Sequence, residues 1–134
     1  MLYSNSNTNY KVYYYQNSHT KRVPVLAYIR ALSEKVQGKI AAYIVLLCDY
    51  AGRLDEPYSR YIRSGVRELR VELAHNRHRI FYITVEGKKI ILLHAFLKKT
   101  PKTPKQEITR ALNNFEDYKI SKKLIEYEKE ISKN

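Results

Sequence analysis

From Val66 onward, apolar and polar side chains alternate with a period of two. VRELRVEL, HRIFYIT and KIILLHAFL each send every second residue to one side, and the polar turns AHNR and VEGKK separate them, with Glu86-Gly87 marking the second as a hairpin. These three segments predict an antiparallel meander. Upstream the apolar residues recur at helical spacing instead. VPVLAYIRALS carries Pro24 where it suits a first turn, and SEKVQGKIAAYIVLLCDYAG has Ser33 as N-cap and Gly52 as its end, with Val36, Ile40, Tyr43, Ile44 and Leu47 on one face. Before them, the β-favouring KVYYYQ, Lys11 to Gln16, predicts a first strand. After the meander, Thr103 as N-cap and Pro104 as first position predict a helix through PKQEITRALNNFEDY that buries Ile108, Ala111, Leu112 and Phe115. ISKKLIEYEKEIS has weaker helical spacing. The pattern therefore predicts an α+β domain over residues 10–118 in the order β-α-α-β-β-β-α(-α), a disordered start over 1–9 and a helical extension over 119–134.

Alternation also assigns faces. Leu69 and Val71 point one way and Glu68, Arg70 and Glu72 the other. Placing Arg79 in a core without a partner is costly, so Ile80 and Tyr82 are taken inward, leaving Arg79 and Phe81 outside. In the next segment His94, Phe96 and Lys98 lie opposite Leu93, Ala95 and Leu97. With helices packed on the apolar face, the open face gathers Arg70, Arg79, His94 and Lys98. Two readings of that face stand: an exposed cationic cluster that grips phosphates, or a solvated face on which Glu68 and Glu72 pair with Arg70 and Arg79.

Charge sharpens the choice. Lys and Arg number 25 against 13 Asp and Glu, a formal +12, and Pro57 to Lys105 holds twelve of those cations with three Glu. A localised basic patch points to nucleic acid as partner. Cys48 is the only cysteine, which excludes an intrachain disulfide and a four-thiolate zinc site and fits a cytoplasmic protein. The longest apolar run, IAAYIVLLC, is too short to span a bilayer, and the first twenty residues lack a signal peptide's apolar core. The four glycines are scattered, so no phosphate-binding loop for a nucleotide cofactor is present. His75 and His78 lack a third ligand at metal-binding spacing. Tyr13 to Tyr15, Tyr58 and Tyr61 are either base-stacking platforms or ordinary packing residues.

GVRELR, then RIFYI, then LLHAFLKKTPKTPKQEI together resemble the HigB-type, phage-related branch of the RelE/ParE toxin superfamily, over about residues 10 to 118. The resemblance implies a RelE-like domain, a curved antiparallel sheet with helices on one face. It also implies the toxin of a type II toxin–antitoxin pair, a metal-independent, ribosome-dependent endoribonuclease acting on mRNA without a cofactor. Its partners would be the ribosome, mRNA and a cognate antitoxin of helix-turn-helix HigA-like type, with no membrane. The family's phosphate-handling cations correspond to Arg70, Arg79 and Lys98. Glu68 stands where RelE carries a lysine, and no counterpart of RelE's C-terminal tyrosine is evident. Glu68 and His94 are the candidates for proton transfer, His94 having a packed structural role as the alternative. Arg67, Arg77, Lys99, Lys102 and Lys105 are the further cations expected to contact RNA, the last three in a proline-stiffened run that otherwise serves as a solvated connector. A ParE-like gyrase inhibitor and a non-catalytic nucleic-acid-binding module remain as alternative functions.

Overall fold

The computed structural model describes residues 9–128. In chain order these form β1 (Lys11–Tyr15), α1 (Pro24–Arg30), α2 (Glu34–Asp49), β2 (Ser59–Arg63), β3 (Val66–Leu73), β4 (Asn76–Val85), β5 (Lys89–Lys98), α3 (Lys105–Ser121) and β6 (Leu124–Glu126). The fold is α+β, with one sheet in the order β2-β3-β4-β5-β1-β6. Every pairing is antiparallel except β1 with β5, where α1 and α2 supply the long crossover a parallel pair requires.

Local chemistry explains the elements. Pro24 opens α1, and the Ser33 hydroxyl caps α2 by accepting from the Val36 N–H at 3.4 Å. Gly52 ends that helix region at φ 80°, its N–H donating to the Leu47 carbonyl, and an added Cβ would meet Thr84 Oγ1 at 2.5 Å. Two-residue turns at Ser64-Gly65 and Ala74-His75 have positive φ throughout, the geometry whose twist matches tight antiparallel hairpins.

The two sides of the sheet carry separate cores. Leu69, Val71, Ile80, Tyr82, Ile90 and Leu92 pack under α1 and α2 with Val25, Ile29, Ile40, Ile44 and Leu47. Phe81, Ile83, Ile91, Leu93 and Phe96 pack on the opposite side with Ala111 and Tyr118 of α3. The expectation of helices on one face thus holds for α1 and α2 and not for α3. The reason is that β4 and β5 are apolar on both faces at their centres, and α3 covers the second.

Other departures have equally local causes. β2 lies where no strand was expected, and Leu124–Glu126, expected within a helix, pairs with β1 instead. α3 begins after Pro104, which has no side-chain cap, and the Thr103 hydroxyl turns to the sheet. A bulge carries the register from Phe81–His94 to Tyr82–Leu92, so Leu93 joins the α3 side rather than that of Ala95, and its carbonyl accepts from Asn114 Nδ2 at 2.8 Å. The expectation for residues 1–8, and the part of the C-terminal expectation falling on 129–134, lie outside the described residues.

Candidate functional site

Cross-strand register assembles the site. Arg60 stands opposite Glu68, Arg70 opposite Arg79, Arg79 opposite Phe96, and Arg77 opposite Lys98. With the period of two, Arg60, Glu68, Arg70, Glu72, Arg77, Arg79 and Lys98 share the face that α3 partly covers, drawn from four adjacent strands. Like charges directly opposite one another are destabilising, and carboxylates offset this here. Glu68 is fully buried, its Oε1 lying 3.5 Å from Arg70 Nε and its Oε2 4.0 Å from Arg79 Nε. Thr103 donates its hydroxyl to Glu68 Oε2 at 3.0 Å, which brings the β5–α3 connection over the carboxylate. Arg79 Nη2 donates to Glu72 Oε2 at 3.1 Å and Nη1 to the His78 carbonyl at 3.2 Å.

The cluster is not the open surface that alternation suggested. Arg79 is 2% exposed and Lys98 8%, whereas Arg60 and Arg77 stand in solvent and Arg70 is between. Both earlier readings describe part of the face: it is ion-paired, and it still carries five cations against two carboxylates. Burial pushes the Lys98 ammonium pKa below its ordinary value; Glu68 opposes that shift, while Arg79, Arg70 and Arg60 reinforce it.

The remaining candidates separate. His94 Nε2 hydrogen-bonds Glu107 Oε1 of α3 at 2.6 Å, and its ring stacks on Phe96, so its imidazole ties β5 to α3. Arg67 projects to the opposite side of the sheet, donating to Ser59 Oγ and to the Leu54 carbonyl, each at 3.0 Å. It fastens the connection that precedes β2 and does not join the cluster. Lys99, Lys102 and Lys105 are exposed along and just beyond the β5–α3 connection. A depression beside the cluster is lined by His75, Asn76, Arg77, Leu97, Lys98 and Lys99. His75 is exposed in its turn, while His78 is buried under α1 with Nδ1 hydrogen-bonded to the Tyr28 hydroxyl at 2.7 Å. Tyr14 and Tyr15 are core residues, and Tyr58 and Tyr61 are exposed.

Arg60 and Thr103 were not anticipated in the cluster. The two-residue Ser64-Gly65 turn signals the hairpin, but it pairs Arg63 with Val66 and alone would set Arg60 opposite Leu69; a bulge between Tyr61 and Arg63 shifts the register by one residue and brings Arg60 across from Glu68. Thr103 has no comparable signal, because its contact spans 35 residues.

Residues 27–116, about two thirds of the chain, match the family model described as phage derived protein Gp49-like (DUF891). The chain belongs to this family. Gp49-like proteins are RelE/HigB-like toxins of toxin–antitoxin systems, and membership implies an antitoxin partner. The stretch matching the Gp49-like model runs from α1 into α3 and contains every residue of the cluster, leaving β1 and β6 outside it. No curated protein matches the chain. No helix among the described residues is long and apolar enough to cross a membrane.

Proposed function

We propose that this Gp49-like protein is the HigB-type toxin of its pair, a cytoplasmic endoribonuclease that cuts mRNA on the translating ribosome and is neutralised by a helix-turn-helix, HigA-like antitoxin. The observation that carries the proposal is the net positive cluster gathered from four strands around the buried Glu68. In the reaction the ribose 2′-oxygen attacks the adjacent phosphorus and the bond to the 5′-oxygen breaks. The products are a 2′,3′-cyclic phosphate and a 5′-hydroxyl. A base takes the 2′-hydroxyl proton, an acid protonates the departing oxygen, and fixed cations stabilise the charge that grows on the phosphoryl oxygens.

The side chains divide these tasks by exposure. Arg60 and Arg70 reach solvent and offer guanidinium donors to the phosphate. Arg79, enclosed and anchored at both terminal nitrogens, adds fixed positive charge behind them. Lys98, with its lowered pKa, exchanges a proton nearer neutrality than a surface lysine does and is the group we assign to proton transfer. Glu68 is enclosed among these cations and orients them, and His94, engaged with Glu107, positions α3. Arg77, Lys99, Lys102 and Lys105 supply backbone contacts.

The test is to induce the protein in growing bacteria and map new mRNA 5′ ends with translation running and with translation blocked. New ends that require translation are expected. Intact message accompanied by gyrase-linked DNA breaks would replace this reading with gyrase inhibition.

A further inference from the structure

A second depression borders the cluster at the edge of β3, past the point where β2 ceases to cover it. It is lined by Lys39, Tyr43, Pro57, Tyr58, Arg70 and Glu72. Arg70 belongs both to the cluster and to this groove, so a phosphate held by its guanidinium sets the attached nucleoside at the groove mouth. The walls differ from the cluster in character. Tyr58 and Tyr43 meet edge to face, ring centroids 5.7 Å apart at 71°, which braces the Tyr58 ring while leaving the residue 44% exposed. Lys39 donates to the Glu72 backbone carbonyl and its ammonium lies 5.9 Å from the Tyr43 ring centroid, so the α2 wall is held against β3. Glu72 presents its carboxylate, shared with Arg79, on the same side.

We infer that this groove is a nucleobase subsite: the base next to the scissile phosphate of single-stranded RNA stacks on Tyr58 while Arg70 holds the phosphate. Lys39 is turned to the Glu72 carbonyl and the Glu72 carboxylate to Arg79, so both charges are engaged within the protein, and an uncharged flat ring suits the braced aromatic wall between them. The ordering cost of stacking is small because Tyr43 already fixes the platform. The inference rests on the RNA-cutting assignment and extends it to how a nucleotide is seated.

The experiment measures binding of the full chain to a 2′-O-methyl RNA hexanucleotide, which lacks the attacking hydroxyl, by fluorescence anisotropy. A series of the same oligonucleotide carries one abasic position at each place in turn. One abasic position is expected to lower affinity about 5- to 150-fold, the range for one stacked base. Tyr58→Ala should erase that difference and Tyr58→Phe should keep it. If the folded Tyr58→Ala variant retains the wild-type difference, or no abasic position matters, the subsite is refuted. The RNA-cutting assignment is read separately, from translation-dependent mRNA 5′ ends, and survives that result if those ends appear. Absence of salt-dependent binding to any of the oligonucleotides would likewise refute the subsite and leave that assignment to the mapping.

Discussion

Arg79→Ala separates a buried cation from an exposed one. An open guanidinium on a solvated sheet face would leave with little loss of packing, and the variant would melt like wild type. The observed Arg79 is 2% exposed, donates to Glu72 Oε2 and to the His78 carbonyl, and lies 4.0 Å from Glu68 Oε2. Its removal leaves Glu68, fully buried, with Arg70 at 3.5 Å as its remaining ion-pair partner and Thr103 as its hydrogen-bond donor. Breaking a buried pair by deleting one member costs about 3 to 5 kcal/mol, and the surviving contacts set the lower end, about 3 kcal/mol. For a chain of this size that is roughly 10 °C in Tm. Thermal unfolding followed by circular dichroism reads it directly. Adding Glu68→Gln to Arg79→Ala should recover part of the loss, since the buried carboxylate is then neutral, while the enclosed Lys98 loses the counter-charge that Glu68 gave it. If Arg79→Ala alone melts within about 2 °C of wild type, the buried ion-pair account of this face is wrong.

Arg70→Ala is the cleaner probe of cleavage: its side chain is partly exposed, and the variant should fold while losing about 10²- to 10³-fold in translation-dependent cutting, assayed on programmed ribosomes. His94→Ala removes the bond to Glu107 and should lower stability by about 1 to 2 kcal/mol in urea titrations, with no loss if the imidazole does not tie α3 to β5. Asp117 accepts from the Ser18 hydroxyl and N–H and from the Tyr15 hydroxyl, hydrogen bonds that hold its carboxyl at about 2, below its ordinary 3.8. Its contribution is therefore complete above pH 3.8 and is lost as pH falls toward 2; Asp117→Asn should flatten that part of the stability profile, and an unchanged slope would refute the assignment.

The elements legible in the sequence are those whose signal is local. Ser33 and Pro24 fix the starts of α2 and α1 through one or two residues each, and the alternation in β3 and β4 survives because one register holds along each strand. β2 escaped because SRYIR is an edge strand whose exposed Arg60, Tyr61 and Arg63 break the alternation, leaving its turn as the only cue. The three residues of β6 are too few to show any period. The side taken by α3 is a tertiary consequence. Phe81, Ile83, Ile91 and Leu93 demand cover on one face while Ile80, Tyr82, Ile90 and Leu92 demand it on the other, and only one of these demands was credited.

At the site, alternation and register sufficed to put Arg70, Arg79 and Lys98 on one face, because the pleat alone decides that. Their enclosure depends on partners distant in sequence, Thr103 above β3 and α3 across β4 and β5, which no pattern within a strand reports. Glu68 shows how the two levels meet. A carboxylate in a phosphate-gripping face looks like a departure from the chemistry the cations imply. Register resolves it: Arg70 and Arg79 stand directly opposite one another, an arrangement that costs energy unless a counter-charge lies between them, and Glu68 sits within 4.0 Å of both. The carboxylate thus lowers the net charge of the face while making it possible to hold two guanidiniums side by side. On the proposed RNA-cutting reading, a cluster organised in that way spends less on reorganisation when phosphate charge develops, which is the property such a reaction asks of the face.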